Sequence, residues 1–286
     1  MPMAHLRARY GAVALVAAGL LLVGSCAPER APSARTSYAP VPGEFLSVAL
    51  NTMDRATRRY GYSLVDVTPD GVASVAAGQR ALVWLGGYDK KRCRWNWTDA
   101  EVGRRFARYG LVDAPRIAGY FIADEPNTDL NCPGAAADVR ARTALVRSLD
   151  PDRSRFTVVN VDRPDHFAAF RGATDVMSVN VYPCLVGEPC DWTKIPRTLE
   201  SLREAGVTRY MGMIQAFSFE QWRWPTADEL TGMIAQWQRS DWLGQLTFSW
   251  KYKGGELTDH PELLRVLKRL NDAPHELFPL PSGEPA

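Results

Sequence analysis

Arg116-Ile-Ala-Gly-Tyr-Phe-Ile-Ala-Asp-Glu-Pro-Asn127 is an apolar run that closes on two adjacent carboxylates and a proline. Its β-branched and aromatic residues read as a strand. Two acids at the end of such a run are poor core residues, because burying unpaired charge costs several kcal/mol. Pro126 stops the strand and biases Glu125 toward an extended backbone, which would aim its carboxylate in a defined direction. A barrel of strands with functional groups at its mouth needs strands that end this way. A surface turn would read alike, so the rest of the chain has to decide.

Working outward, the pattern repeats. Apolar runs at 45–50, 62–67, 81–85, 117–123, 156–161, 176–182, 209–216 and 246–250 alternate with amphipathic stretches of helical spacing at 98–109, 135–149, 195–205 and 226–240. Thr98-Asp-Ala-Glu101 and Thr226-Ala-Asp-Glu229 have the form of capping boxes. His260-Pro261-Glu262 opens a last helix with proline in its first turn. Residues 51–61 read as loop or short helix. Eight strands alternating with helices specify an α/β fold, a single-domain (β/α)8 TIM barrel. The rival, a doubly wound open sheet, usually opens on a Gly-rich nucleotide turn, and this chain has none.

The ends have a different character. Arg7 and Arg9 precede an apolar run at 10–23, short for a membrane span. Val23-Gly24-Ser25-Cys26 resembles a bacterial lipobox. That resemblance implies a signal peptide over 1–25, lipidation of Cys26 and a lipid-anchored protein on the extracytoplasmic face of the cell membrane. A plain signal peptide or one N-terminal anchor helix would also export the domain. Residues 26–43, rich in Pro, Ala and Ser, read as a flexible tether, 44–275 as the barrel, and 276–286 as a disordered tail. Cys93, Cys132, Cys184 and Cys190 remain, an even number suited to two disulfides in an exported domain. Cys184–Cys190 would close a short loop and Cys93–Cys132 would tie two longer ones. A net charge of +2 with no basic run argues against a nucleic-acid surface.

Polar residues stand where the strands end. They are Asp66 on the second, Asp89 after the third, Asp124 and Glu125 on the fourth, and Asn160 and Asp162 on the fifth. Asn180 and Tyr182 follow on the sixth, Gln215 on the seventh, and Trp250 with Lys251 on the eighth. Strand alternation puts Ser178, Asn180 and Tyr182 on one face. Each has an ordinary alternative as a helix cap, turn former or rim filler. Their convergence on one end of a barrel makes them candidates, because barrels carry function at their C-terminal face.

Gly119-Tyr-Phe-Ile-Ala-Asp-Glu-Pro126, Asp175-Val-Met-Ser-Val-Asn-Val-Tyr-Pro183, Met213-Ile-Gln-Ala-Phe217 and Phe248-Ser-Trp250 together resemble barrel glycoside hydrolases related to clan A. The resemblance implies hydrolysis of glycosidic bonds in a polysaccharide or cell-envelope glycan, with Glu125 as general acid and Asp124 beside it. Asp66, Asn160, Asn180, Tyr182, Gln215, Trp250 and Lys251 would line the sugar site. No cofactor, metal or nucleic-acid partner is implied, and a monomer is expected.

The chain departs from the clan pattern twice: Asp124 stands where Asn usually precedes the acid, and Gln215 where the nucleophile Glu usually ends the seventh strand. A glutamine can neither attack an anomeric carbon nor act as a base. A second carboxylate could come from Asp66, Asp89, Asp162 or Glu220. Alternatively, Asp124-Glu125 resembles the adjacent acid pair of substrate-assisted hexosaminidases, which implies a substrate acetamido group as nucleophile, oriented by Asp124 and hydrogen-bonded by Tyr182, with Glu125 donating the proton; or the barrel could bind glycan without cutting it.

Aromatic residues suit a sugar site. Trp95, Trp97, Trp192, Trp222, Trp224 and Trp250 fall in loops or at strand ends, where they would stack on sugar rings or close a lid. Trp222-Arg-Trp224 is the best placed, whereas Trp237 and Trp242 read as core. Lys251-Tyr-Lys-Gly-Gly255 follows the eighth strand, and Lys251 with Lys253 could instead hold an anionic sugar or phosphate. His5, His166, His260 and His275 are scattered without metal spacing. There is no Gly-x-Ser-x-Gly elbow and no Walker loop.

Overall fold

The computed structural model describes residues 44–126 and 131–280. The expected signal peptide, the lipidation at Cys26, the tether and the end of the tail from 281 lie outside the described residues. Eight parallel strands close into a barrel: β1 (Leu46–Ala49), β2 (Leu64–Val67), β3 (Arg80–Trp84), β4 (Ile117–Asp124), β5 (Phe156–Val161), β6 (Val176–Asn180), β7 (Tyr210–Gln215) and β8 (Gly244–Phe248). Each pairs with its sequence neighbours, and β8 closes on β1 through Leu46↔Gly244 to Ala49↔Thr247. This is the (β/α)8 barrel.

Between strands the chain returns along the outside. Five returns are made by α1 (Asp99–Arg108), α2 (Ala135–Leu149), the single turn α3 (Phe167–Phe170), α4 (Lys194–Glu204) and α5 (Ala227–Trp237). A sixth helix, α6 (Pro261–Asp272), follows β8. After β1 and β2 the return is only a 3₁₀ helix, at Arg55–Tyr60 and Pro69–Ser74. Both expected capping boxes form, at Thr98 with Glu101 and Thr226 with Glu229. Each satisfies amides that a helix start leaves without partners.

Alternation along the strands sorts the apolar side chains into two cores. Inside the barrel lie Leu46, Val48, Leu64, Leu82, Phe156, Val158, Met211, Met213 and Leu246. Between barrel and helices lies a larger set built on Val102, Phe106, Val139, Ile214, Met233, Trp237 and Leu267. Burying each Leu or Phe fully contributes about 1.5–3 kcal/mol. Trp237 and Trp242 stack with centroids 5.8 Å apart, as expected of core residues.

Both disulfides are present as paired from the sequence, Cys93–Cys132 and Cys184–Cys190. The end of the chain departs from expectation. Phe278 is buried against Arg269, and Gln238 bonds the backbone of Pro274, Glu276 and Phe278. A large apolar ring anchored in this way keeps 276–280 on the barrel.

Candidate active site

β4 delivers the two carboxylates through two irregularities. Phe121 packs inside the barrel, so strict alternation would put Ala123 inside with it. A bulge in the pairing with β5, where Phe121 faces Val158 and Ala123 faces Val159, changes the phase. Ala123 joins the outer core, and Asp124 turns toward the barrel mouth. The next residue would then point away. Glu125 instead adopts φ +42, in the left-handed region, while its amide still donates to Asn160 O at 3.0 Å. That conformation costs a glutamate about 1 kcal/mol or more, and it brings the second carboxylate back to the same cavity. The extended backbone expected of Glu125 from Pro126 is therefore not what forms; the ladder bond and the side-chain partners override it.

Asp124 accepts from Asn160 Nδ2 at 2.8 Å, and Asn160 Oδ1 accepts in turn from Ser178 Oγ at 2.9 Å. Asn160 is buried and sits between the acid and β6, so Asp124 is held from behind while it faces the open mouth. Partial desolvation at the mouth, and next the charge of Glu125, push Asp124 up to about 6. Glu125 is gripped on both oxygens. Lys90 Nζ lies 2.9 Å from Oε2, and Asn180 Nδ2 donates to Oε1 at 2.8 Å. Lys90 arrives on the loop after β3, which turns at Gly86 and Gly87, both left-handed. A Cβ on Gly86 would lie 2.3 Å from the Trp97 ring, so the turn needs glycine there.

Asp124, Glu125 and Asn160 line a cavity of about 660 Å³ at the C-terminal end of the barrel, together with Asp66, Asn51, Thr52, Trp84 and Phe121. Asp66 ends β2. Its Oδ1 is sealed from solvent and has no hydrogen-bond partner among the described residues. Burial pushes this carboxyl up to about 7, offset in part by the backbone amides of Thr52 and Asn51. The other wall is aromatic. Tyr182, Phe217, Trp222, Phe248 and Tyr252 pack edge-on or tilted, with centroids 4.9–6.0 Å apart in the contacting pairs. Burial, followed by the charges of Asp124 and Glu125, raises the Tyr182 phenol well above its ordinary value and keeps it a donor. One wall thus offers carboxyl groups and the other flat apolar faces, a combination suited to a polar ring with apolar faces.

Asp66, Asp124, Glu125, Asn160 and Tyr182 are brought together, and Asn180 reaches the site through Glu125. Three expected lining residues are not at the cavity. Gln215 is fully buried: its amide donates to Cys184 O and Arg223 O, both at 2.9 Å, and accepts from Cys184 N at 3.0 Å. Those bonds tie the loops after β6 and β7, which carry Trp222. Trp250 lies in the outer core, where it packs on Tyr60 and Tyr62. Lys251 is exposed in a two-residue ribbon and pairs with Glu256, while the Lys253 ammonium lies over the Phe219 ring. The anion site expected from these two lysines does not assemble, because each is satisfied separately.

The remaining candidates have other partners. Asp89 accepts from the amides of Lys91 and Arg92, and exposed Glu220 sits in the turn between Phe219 and Trp222. Asp162 adds its charge at Lys90 and Asp124. Of the loop tryptophans, only Trp222 lines the cavity. Trp224 stacks on His260, Trp95 and Trp97 carry the guanidinium groups of Arg142 and Arg105, and Trp192 packs on the outer core. Lys90 and Trp84 are the functional candidates that the sequence reading missed. Trp84 had a signal, a bulky aromatic next to the end of the apolar run 81–85; Lys90 had none.

No protein-family model matches the chain, and no curated protein matches its sequence. Solved structures do share the fold. It is similar to an endo-β-1,4-mannanase from Thermotoga petrophila, at 10% identity, 82% of this chain, 77% of that one and a TM-score of 0.52. It is similar also to a chitinase from Pseudoalteromonas aurantia, at 11% identity, 80% and 99% coverage and a TM-score of 0.55. A β-1,3-glucanosyltransferase of glycoside hydrolase family 17 from Rhizomucor miehei aligns at 11% identity, 74% and 90% coverage and a TM-score of 0.52. At such identities the likeness is one of fold, that of the eight-stranded α/β barrel.

Proposed function

We propose that this protein hydrolyses glycosidic bonds in a polysaccharide or cell-envelope glycan, as an exported, lipid-anchored enzyme. The observation that carries this reading is the pair of consecutive carboxyl groups, Asp124 and Glu125, turned into one cleft opposite an aromatic wall. A bulge and a left-handed glutamate are costly features for a surface turn, and they are common where a backbone is arranged for chemistry. The mannanase and chitinase that share the fold act on glycans by their names, which adds support of a general kind. Export and anchoring rest on the lipobox-like Val23-Gly24-Ser25-Cys26 alone.

Glu125 enters the proposal as the catalytic carboxyl, and both of its oxygens accept from donors, Lys90 and Asn180, which fix its direction in the cleft. A second reading, a barrel that binds glycan without cutting it, is favoured by Gln215, whose amide stands buried at the end of β7 where a nucleophile would be needed. Hydrolysis of a glycan panel by the wild type beside Glu125→Gln separates the two. Cleavage that the variant loses supports the enzyme. Equal binding with no cleavage by either protein supports the binder.

A further inference from the structure

A second cavity, of about 670 Å³, lies apart from the cleft and shares no lining residue with it. Its walls are Arg55, Arg58, Arg59, Arg116 and the segment 73–77. Arg116 directly precedes β4 and 73–77 leads into β3, so the hollow sits where the barrel strands begin. Local structure explains why it is there. The returns after β1 and β2 are 3₁₀ helices of six residues each, against ten or more in α1, α2, α4 and α5. Such short returns leave part of the flank between them uncovered.

The charge in the hollow has one sign. Four guanidinium groups line it and no carboxylate does. The side chains of Arg55, Arg58 and Arg59 have no ion-pair or hydrogen-bond partner among the described residues. Asp54, the nearest acid along the chain, is engaged at its own helix start, where Oδ1 accepts from Ala56 N at 2.7 Å. Arg116 is fixed on the wall by donating from Nη1 to Val75 O. Arg55 and Arg58 stand three residues apart on a 3₁₀ helix, which brings them to one side, and Arg59 follows. Like charges set this close repel, and an anion between them would turn that repulsion into attraction.

We propose that this hollow binds terminal phosphate groups through Arg55, Arg58, Arg59 and Arg116, independently of the glycan reading. A guanidinium is a planar fork that bonds phosphate oxygens in pairs. A carboxylate offers such forks one charge and two oxygens. A terminal phosphate offers about two charges and three oxygens, which suits several guanidinium groups around one hollow. A lipid headgroup ending in phosphate and a soluble phosphate ester both present this chemistry, and the arms of the test tell them apart.

The test sets the whole chain against two probes: inorganic pyrophosphate by calorimetry, and phosphatidylcholine vesicles with and without phosphatidic acid by co-sedimentation. Arg55→Gln/Arg58→Gln/Arg59→Gln is compared with Arg153→Gln/Arg239→Gln/Arg265→Gln, which removes the same charge from exposed arginines outside the hollow. Wild type and the second variant are expected to bind at least one probe, and the first variant to bind it roughly tenfold or more weakly. The replaced side chains of the hollow carry no partners, so both variants are expected to melt with wild type, which keeps lost binding distinct from lost folding. Pyrophosphate binding without a preference for phosphatidic acid assigns the site to soluble phosphate esters, the reverse assigns it to a lipid headgroup, and binding of both supports the site for either. Binding of neither probe by wild type, or equal weakening in both variants, would overturn the proposal.

Discussion

Lys90 Nζ lies 2.9 Å from Glu125 Oε2, although 35 residues separate them and they sit on loops after different strands. Burial pulls Lys90 down, but the hydrogen bond and charge of Glu125 more than offset it, and the ammonium ends up raised. The pair joins the Gly86-Gly87 turn to the left-handed end of β4. It therefore positions the residue on which the proposed chemistry depends.

Each partner is a quarter to a third exposed, so solvent screens the pair and its coupling is modest. Lys90→Met and Glu125→Gln, each alone and together, are expected to give a coupling energy of about 1 kcal/mol in urea denaturation at pH 7. A coupling of zero would mean that the pair does not hold the two loops together in solution.

Asp66 and Asp124 make a signed prediction about pH. Both carboxyls are raised in the folded protein, to about 7 and about 6. Between about pH 4 and 7 the native state keeps protons that the unfolded chain has released. Their contribution to stability is present in full below pH 4 and is lost as the pH rises through 6 and 7. Asp66→Asn removes the larger share. It is expected to exceed wild type by on the order of 2 kcal/mol at pH 8, with no gain at pH 4. Equal stability at both pH values would show that Asp66 is not buried as described.

The barrel was legible because its signals are periodic and local. β5 falls on 156–161 and α2 on 135–149 as read, and both capping boxes form. Site residues reached by plain alternation were legible too, as with Ser178, Asn180 and Tyr182 after Val176. What failed depended on tertiary bonds. Nothing local marks the bulge that turns Asp124 inward, and Pro126 argued for an extended Glu125 that Asn160 O and Lys90 override. Gln215 looked like a site residue because of the strand end it occupies, but its partners come from loops 31 and 8 residues away.

Gln215 therefore makes a prediction against intuition. Gln215→Glu would restore a carboxylate at the end of β7, yet no gain in hydrolysis is expected. The substitution deletes the two donors to Cys184 O and Arg223 O and sets an anionic oxygen beside carbonyls in a buried site. Leaving such groups unpaired costs about 1–3 kcal/mol each, and more for a charge. A drop of at least 3 kcal/mol in urea denaturation at pH 7 is expected. Increased turnover with full stability would show instead that the glutamine stands in for a lost nucleophile.

Trp222 and Trp224 lie two residues apart, and the structure gives them opposite tasks. Trp222 sits in the aromatic wall with Tyr182 and Phe217, at centroid distances of 5.7 Å to both, and faces the cavity. Trp224 turns away and stacks on His260 at 4.0 Å, off the lining. In a Glu125→Gln background, where turnover would not consume the ligand, Trp222→Ala is expected to weaken binding by about 1–2 kcal/mol, roughly five- to thirtyfold in Kd. Trp224→Ala should leave Kd unchanged and lower the melting temperature, because it removes a ring that ties the β7 loop to the start of α6. Calorimetric titration of both variants with one glycan reads the difference. If the two lost affinity equally, the loop would be acting as a flexible unit and the aromatic wall would not be a preformed surface for sugar.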